Sequence, residues 1–215
     1  MIEKNATRLN GEDFWQEILA PDASVEGGYP ARLDDGRILL LPIRPLPDGK
    51  RALASLIINQ ASFAVVDALA TDLAEKLGVF APEIIVGLPT LGLTLASVVA
   101  QKLGHARYIP LGTSAKFWYS AELSVPLSSI TTPDQQKRLF IDPRMLPLLE
   151  GRRVALVDDV ISSGVSMQAA IALMAACGVR PVAIGTAMLQ SERWLERLGR
   201  WEIVSVLRSP ILPVA

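Results

Sequence analysis

The stretch Val154-Ala-Leu-Val-Asp158-Asp159-Val-Ile-Ser162-Ser163-Gly164-Val-Ser166 constrains this chain more than any other. Its opening apolar run reads as a strand buried on both faces, and such strands belong to parallel sheets covered by helices. The strand is expected to end in the acid pair. Small hydroxyl residues then turn the chain into a helix over 165–177, stopped by Gly178. In an open α/β sheet, ligands bind outside the carboxyl ends of the strands. A helix start at that place presents unpaired N–H groups and the positive end of a dipole, so residues 162–166 suit a phosphate. Asp158 and Asp159 would repel the phosphate itself, but they can accept hydrogen bonds from ribose hydroxyls. Together these residues describe a site for a ribose 5-phosphate.

The rest of the chain supports the same architecture. Apolar residues at Ala61, Val65, Val66, Leu69, Leu73 and Leu77 predict an amphipathic helix over 59–77. A short apolar strand over 83–87, a helix over 91–103 and a strand over 108–111 follow. Residues 112–133 show no sustained period and read as a long loop, a feature that in a compact domain usually has a function. Residues 138–141 read as a short strand and 145–149 as a turn of helix. Strands over 153–157, 181–188 and 202–207 complete an alternating order. Near the N-terminus, segments 29–33 and 37–43 flank Asp34-Asp35-Gly36, a hairpin signal in which the acid pair is simply a turn. The expected fold is α/β: a Rossmann-like parallel sheet flanked by helices, residues 56–215, with a small N-terminal β-rich hood, residues 1–55.

Composition excludes several classes. Lys plus Arg number 21 against 22 Asp plus Glu, with no basic run longer than two residues, so binding to nucleic acid or an anionic membrane through bulk charge is not expected. His105 and Cys177 are the only residues of their types, which removes a disulfide framework, a structural zinc site and a Cys/His pair. His105 is expected to be exposed at a helix end and Cys177 to be inert packing. The uncharged stretches 84–101 and 160–179 approach membrane-spanning length, but Gly87, Pro89 and Gly92 break the first and Ser162-Ser163-Gly164 opens the second. The polar, acidic N-terminus has no signal-peptide pattern. A cytoplasmic protein is expected.

The segment from Val154 to Ser166 resembles the phosphoribosyl pyrophosphate (PRPP) motif of type I phosphoribosyltransferases, and the likeness extends over the order of elements from about residue 59 to 188. The resemblance implies Mg²⁺-dependent transfer of ribose 5-phosphate from PRPP to a nucleobase, with release of pyrophosphate. It implies that Asp158 and Asp159 hold the ribose and the metal, and that Ile161, Ser162, Ser163, Gly164, Val165 and Ser166 hold the 5-phosphate. By position in the family, Gly87, Leu88, Pro89, Thr90 and Gly92 form the pyrophosphate turn, where the two glycines allow close backbone approach. Many members carry Lys or Arg where Leu91 stands, so this chain departs from them. The long loop resembles the family's lid, with Lys116 as its basic residue and Phe117-Trp118-Tyr119 either covering the site or packing on the body. Lys137 and Arg138 read as strand-flanking charges.

The base is expected to be read by the hood, and the stretch 151–167 with 135–142 resembles adenine phosphoribosyltransferases more than orotate ones. A purine, adenine first, is therefore expected, with a homodimer as the working form. Arg32, Arg37 and Arg44 keep orotate as an alternative, although their strand phases do not aim all three at one pocket. A non-catalytic PRPP-binding regulator is the other alternative. A PRPP synthetase would need two such folds, and a ComF-like relative would need a Cys-rich zinc segment.

Overall fold

The computed structural model describes residues 17–127 and 137–213. The expectations for residues 1–16, for the end of the long loop and for the start of the 135–142 segment lie outside the described residues. In chain order the strands and helices are β1 (Tyr29–Arg32), β2 (Ile38–Leu41), β3 (Ile43–Pro45), β4 (Arg51–Ala54), α1 (Phe63–Gly78), β5 (Ile84–Gly87), α2 (Gly92–Lys102), β6 (Ile109–Pro110), β7 (Ser124–Pro126), β8 (Arg138–Phe140), β9 (Val154–Ile161), α3 (Val165–Ala176), β10 (Ala183–Gln190), α4 (Leu195–Leu198), β11 (Ile203–Ser209) and β12 (Ile211–Pro213).

The expected parallel sheet is present, with strand order β11-β10-β9-β5-β6. Its strands are largely apolar because both faces are covered, and alternate residues serve opposite layers. Ile85, Ala155 and Val157 pack into one core with Leu69, Leu73 and Leu77 of α1 and Leu95 and Val99 of α2. Their neighbours Ile84, Val86, Val154 and Leu156 face the other core, with Met167, Leu173 and Met174 of α3.

Local chemistry moves several boundaries. α1 begins at Phe63 rather than at 59, because the Ser62 side chain accepts from the Val65 N–H and fixes the cap there, while Ile58–Gln60 form a separate 3-10 turn. The segment 112–133 contains a strand: β7 lies within it and pairs antiparallel with β8, which the sequence showed only as a lone strand.

The hairpin of β1 and β2 forms as expected, with Gly36 at φ 88 in its turn. It is pinned to α1 by Arg37 on Asp72 at 3.0 Å and by Lys76 on Asp34 at 2.6 Å. The remaining β-rich layer was not legible as a unit, because its order is β12-β4-β3, and β12 comes from the far end of the chain. Gln190 at the end of β10 donates to the Ala54 carbonyl at 2.9 Å, joining this layer to the main sheet.

Gly87, the last residue of β5, marks the closest approach of strand and helix, since a Cβ there would lie 2.6 Å from that of Ala96 in α2. Gly87→Ala is expected to cost about 1–3 kcal/mol through overpacking. A melting experiment should show Tm falling by several degrees, with partial recovery in Gly87→Ala/Ala96→Gly; an unchanged Tm in the single variant would contradict the packing described.

Candidate functional site

The connection from β5 through α2 to β6 runs one way along the sheet, and that from β9 through α3 to β10 runs the other. A crevice opens between β5 and β9, the place where α/β sheets bind ligands. Pairing between those strands stops at Gly87 opposite Val157, and the Leu88 N–H makes a last bond to the Val157 carbonyl at 3.0 Å. β9 does not end at the acid pair, as the sequence suggested, but continues to Ile161. The ladder to β10 carries it on, with Asp158 opposite Thr186 and Val160 opposite Met188. The buried Thr186 hydroxyl donates to the Asp159 carbonyl at 2.9 Å. Residues 158–161 thus have a sheet partner on one side and the crevice on the other.

Asp158 and Asp159 are only 8% and 9% exposed. Burial first, and then the neighbouring Asp159 charge, push the Asp158 carboxyl well above the usual carboxylate range. Burial raises the Asp159 carboxyl too, and contact with Asp158 opposes that rise. The Asp159 N–H donates to Asp158 Oδ1 at 2.9 Å and fixes that carboxyl's orientation. Gly92, the first residue of α2, lies against it: a Cβ there would be 2.6 Å from Asp158 Oδ1 and 2.9 Å from its Cα. Only glycine lets α2 start at this point.

Beyond the acids, Asp158 and residues 160–167 line a small cavity of about 140 Å³. Gly164 caps α3 in the left-handed region at φ 78, with no side chain bonded to the helix's first N–H groups. Those groups are available to a ligand. The structure brings Ile161, Ser162, Ser163, Gly164, Val165 and Ser166 together on this wall, and Ile161, 2% exposed, also packs in the α3 core. Two residues that the sequence did not single out also reach this loop. Arg193 Nη2 donates to Ser162 Oγ at 3.0 Å, and Arg197 Nη1 to the Ser163 carbonyl at 3.4 Å. Their sequence signal is two arginines four residues apart just after a core strand.

In the turn after β5, Leu88 is 1% exposed, with its side chain in the α3 core and its N–H bonded to Val157. Pro89 has no N–H, and the peptide between Pro89 and Thr90 is cis. Thr90, Leu91 and Gly92 complete the turn into α2. Leu91 packs against the α1 core, which accounts for an apolar residue there.

The lid candidates divide. Lys116 is exposed, and among the described residues its ammonium group has no hydrogen bond or ion pair. Phe117 is 98% exposed. Trp118 and Tyr119 fold back on the body: the Trp118 indole donates to Asp142 at 3.3 Å beneath the Arg144 guanidinium, and Tyr119 packs on Phe140. Of the loop-end charges, Arg138 is half-buried and donates to Ser124 Oγ at 3.0 Å, while Lys137 is exposed. His105 is half-buried rather than exposed, because its Nε2 lies 2.9 Å from the Pro82 carbonyl. Cys177 is half-buried, and burial raises its thiol.

A second cavity, of about 580 Å³, lies at the carboxyl ends of β10 and β11. Tyr29 of the hairpin and Ile211 of β12 line it, together with Ser191, Glu192, Arg208 and Ser209. The Ser209 hydroxyl is buried and has no hydrogen-bond partner. Arg32, Arg37 and Arg44 do not line it, being bonded to the Pro21 carbonyl, to Asp35 and Asp72, and to Ser55 respectively.

Residues 53–207 match the phosphoribosyl transferase domain family. The adenine phosphoribosyltransferase of Corynebacterium efficiens is 36% identical over 130 residues, spanning 59% of this chain and 61% of that protein. That of Frankia casuarinae is 29% identical over 192 residues, spanning 87% and 96%. The structure of the APRTase from Giardia lamblia complexed with 9-deazaadenine superposes with a TM-score of 0.64 at 22% identity, covering 79% of this chain and 94% of that one. The central parallel sheet and its flanking helices are those of the type I phosphoribosyltransferase fold, and this chain belongs to the phosphoribosyl transferase domain family. Among the described residues no group of three or more His, Cys, Asp or Glu could hold a metal ion, and no helix is long and apolar enough to cross a membrane.

A carboxyl whose pKa is raised by folding binds its proton more tightly in the folded chain. Its stabilising effect is complete below the ordinary aspartate value of about 4 and is lost as pH rises through the raised value. Asp158→Asn keeps the acceptor for the Asp159 N–H and removes the buried charge. In ligand-free and metal-free buffer, calorimetry from pH 4 to 8 should find the variant a few degrees more stable at pH 7.5, with the difference closing near pH 4. A lower Tm at pH 7.5 would contradict the assignment.

Proposed function

We propose that this chain transfers ribose 5-phosphate from PRPP to adenine in a Mg²⁺-dependent reaction that releases pyrophosphate. The observation that carries the reading is the carboxylate pair on the free edge of β9, locked under Gly92 and followed directly by the open start of α3. Asp158 and Asp159 accept hydrogen bonds from the ribose hydroxyls. Residues 162–166 hold the 5-phosphate, and the N–H groups of residues 90–92 face the pyrophosphate.

Two carboxylates are too few to hold Mg²⁺ by themselves, and this cation keeps several waters and binds readily to substrate phosphates. The donor set therefore fits an ion carried on PRPP, with Asp158 and Asp159 as its protein carboxylates. Such an ion would neutralise charge on the departing pyrophosphate. The bond from C1 to the pyrophosphate oxygen breaks, a new bond forms from C1 to a ring nitrogen, and that nitrogen gives up its proton. No side-chain nucleophile takes part, so rate comes from positioning, from stabilising the leaving group and from keeping water out beneath a lid that carries Lys116.

The cavity between Tyr29 and Ser209 fits the base, offering an aromatic wall, a buried hydroxyl without a partner and Glu192. Glu192 disfavours an anionic base, while Arg208 in the same wall keeps orotate as the second reading. The adenine phosphoribosyltransferase relatives favour adenine. A cytosolic homodimer belongs to the same proposal and rests on the family resemblance and the single cysteine.

Pyrophosphate release from PRPP, measured over adenine, hypoxanthine, guanine, orotate and uracil, should be fastest with adenine. Activity with orotate alone would move the chain to the orotate class, and PRPP binding without activity on any base would make it a regulator. Because a closed-lid contact acts mainly on the transition state, Lys116→Ala should lower kcat about tenfold or more with little change in PRPP affinity. An unchanged kcat would remove Lys116 from the mechanism.

A further inference from the structure

We propose that Arg193 and Arg197 form a cationic second wall of the phosphate cradle and make the site selective for a phosphorylated ribose. This inference rests on the reading of residues 162–166 as the 5-phosphate site. The cavity lined by Asp158 and residues 160–167 has no cationic side chain of its own, and its sole charged wall residue is an acid. A phosphate carrying up to two negative charges, placed beside buried carboxylates, needs positive charge close by. Backbone N–H groups supply only partial charges. The segment after β10 brings two guanidinium groups, of which Arg197 also pairs with the Glu196 carboxylate at 3.9 Å.

Its placement is built rather than incidental. The Trp194 ring is 8% exposed, and its indole N–H donates to the Ser191 carbonyl at 3.0 Å, which anchors the start of the segment. Leu198 is fully buried, and its Cδ1 is 2.9 Å from where a Cβ on Gly164 would stand, so α4 rests directly on the cradle. Between those anchors, Arg193 donates to the Ser162 hydroxyl and Arg197 to the Ser163 carbonyl.

The chemistry of the first contact determines what Ser162 can do. A guanidinium has donors and no acceptor, so the Ser162 oxygen must accept from it and its own proton points elsewhere. That hydroxyl is a donor for whatever occupies the cavity, which suits a phosphate oxygen and not a metal ion. The planar fork of Arg193 has further N–H groups to bond the same phosphate, and a charge-assisted bond of this kind is about twice as strong as a neutral one.

The test is calorimetric titration of ribose 5-phosphate, ribose, adenine and PRPP with Mg²⁺ into wild type, Arg193→Ala/Arg197→Ala and Arg193→Lys. The double variant should bind ribose 5-phosphate and PRPP at least tenfold more weakly, with adenine affinity unchanged and with a smaller dependence on salt than wild type. Arg193→Lys keeps the charge but loses the fork, and should fall between; it also carries the test if the double variant does not fold. Unchanged ribose 5-phosphate affinity in both variants, with wild type binding it well, would overturn this inference and leave the proposed function standing. Equal loss for adenine and ribose 5-phosphate would show a purely structural role and overturn it as well. Failure of wild type to bind either PRPP or ribose 5-phosphate would overturn the site reading and this inference with it.

Discussion

Two adjacent carboxyls held almost out of water are the costliest feature of this structure, and the elements around them are arranged to tolerate it. A buried charge without a nearby partner is unfavourable by several kcal/mol, and the usual response is a raised pKa. Here the Asp159 N–H bonds back to Asp158, and Thr186 occupies the Asp159 carbonyl. α2 can begin where it does only because Gly92 has no side chain to collide with Asp158. In the proposed reaction, hydroxyls of the substrate would satisfy the acceptors that these two carboxyls leave open.

The crevice follows from a small difference in strand length. β5 stops at Gly87 while β9 runs to Ile161, and the longer strand projects past its neighbour with one hydrogen-bonding edge exposed to the site. On one side of that projection lies the turn after β5, on the other the start of α3. In the proposed function, a ligand lying between them would meet backbone donors at both ends and carboxylates in the middle. Charge alone would then direct negative groups to the ends and hydroxyls to the centre.

What could be read from the sequence was what depends on short-range pattern. The parallel sheet, α1 to α3 and the hairpin with Gly36 all announce themselves through apolar periodicity and turn residues, and the acid pair with its hydroxyl-rich turn carries its chemistry in contiguous residues. What escaped was set by distant partners. The run of β9 past Val157 depends on the ladder from β10, the pairing of β7 with β8 on a return across the long loop, and the position of Arg193 and Arg197 on α4 resting against Gly164. His105 looked like a solvated helix end because its partner, the Pro82 carbonyl, lies in a different loop. The start of α1 was misplaced for a local reason: Ala61 continues the apolar pattern ahead of the helix, but the cap at Ser62 decides the boundary.

The strand β12 has a consequence for how the molecule is made. It pairs with β4 across almost the whole sequence, Ile211 opposite Leu53, and its first residue lines the larger cavity. During synthesis every strand of the main sheet has left the ribosome before β12 does, and pairings this remote in sequence are slow to form. A nascent chain can therefore hold the turn into α3 while one wall of the cavity beside Tyr29 is still missing. Until the final segment docks, β4 has β3 on one edge and an open edge on the other, an interval in which another extended chain could take the vacant place.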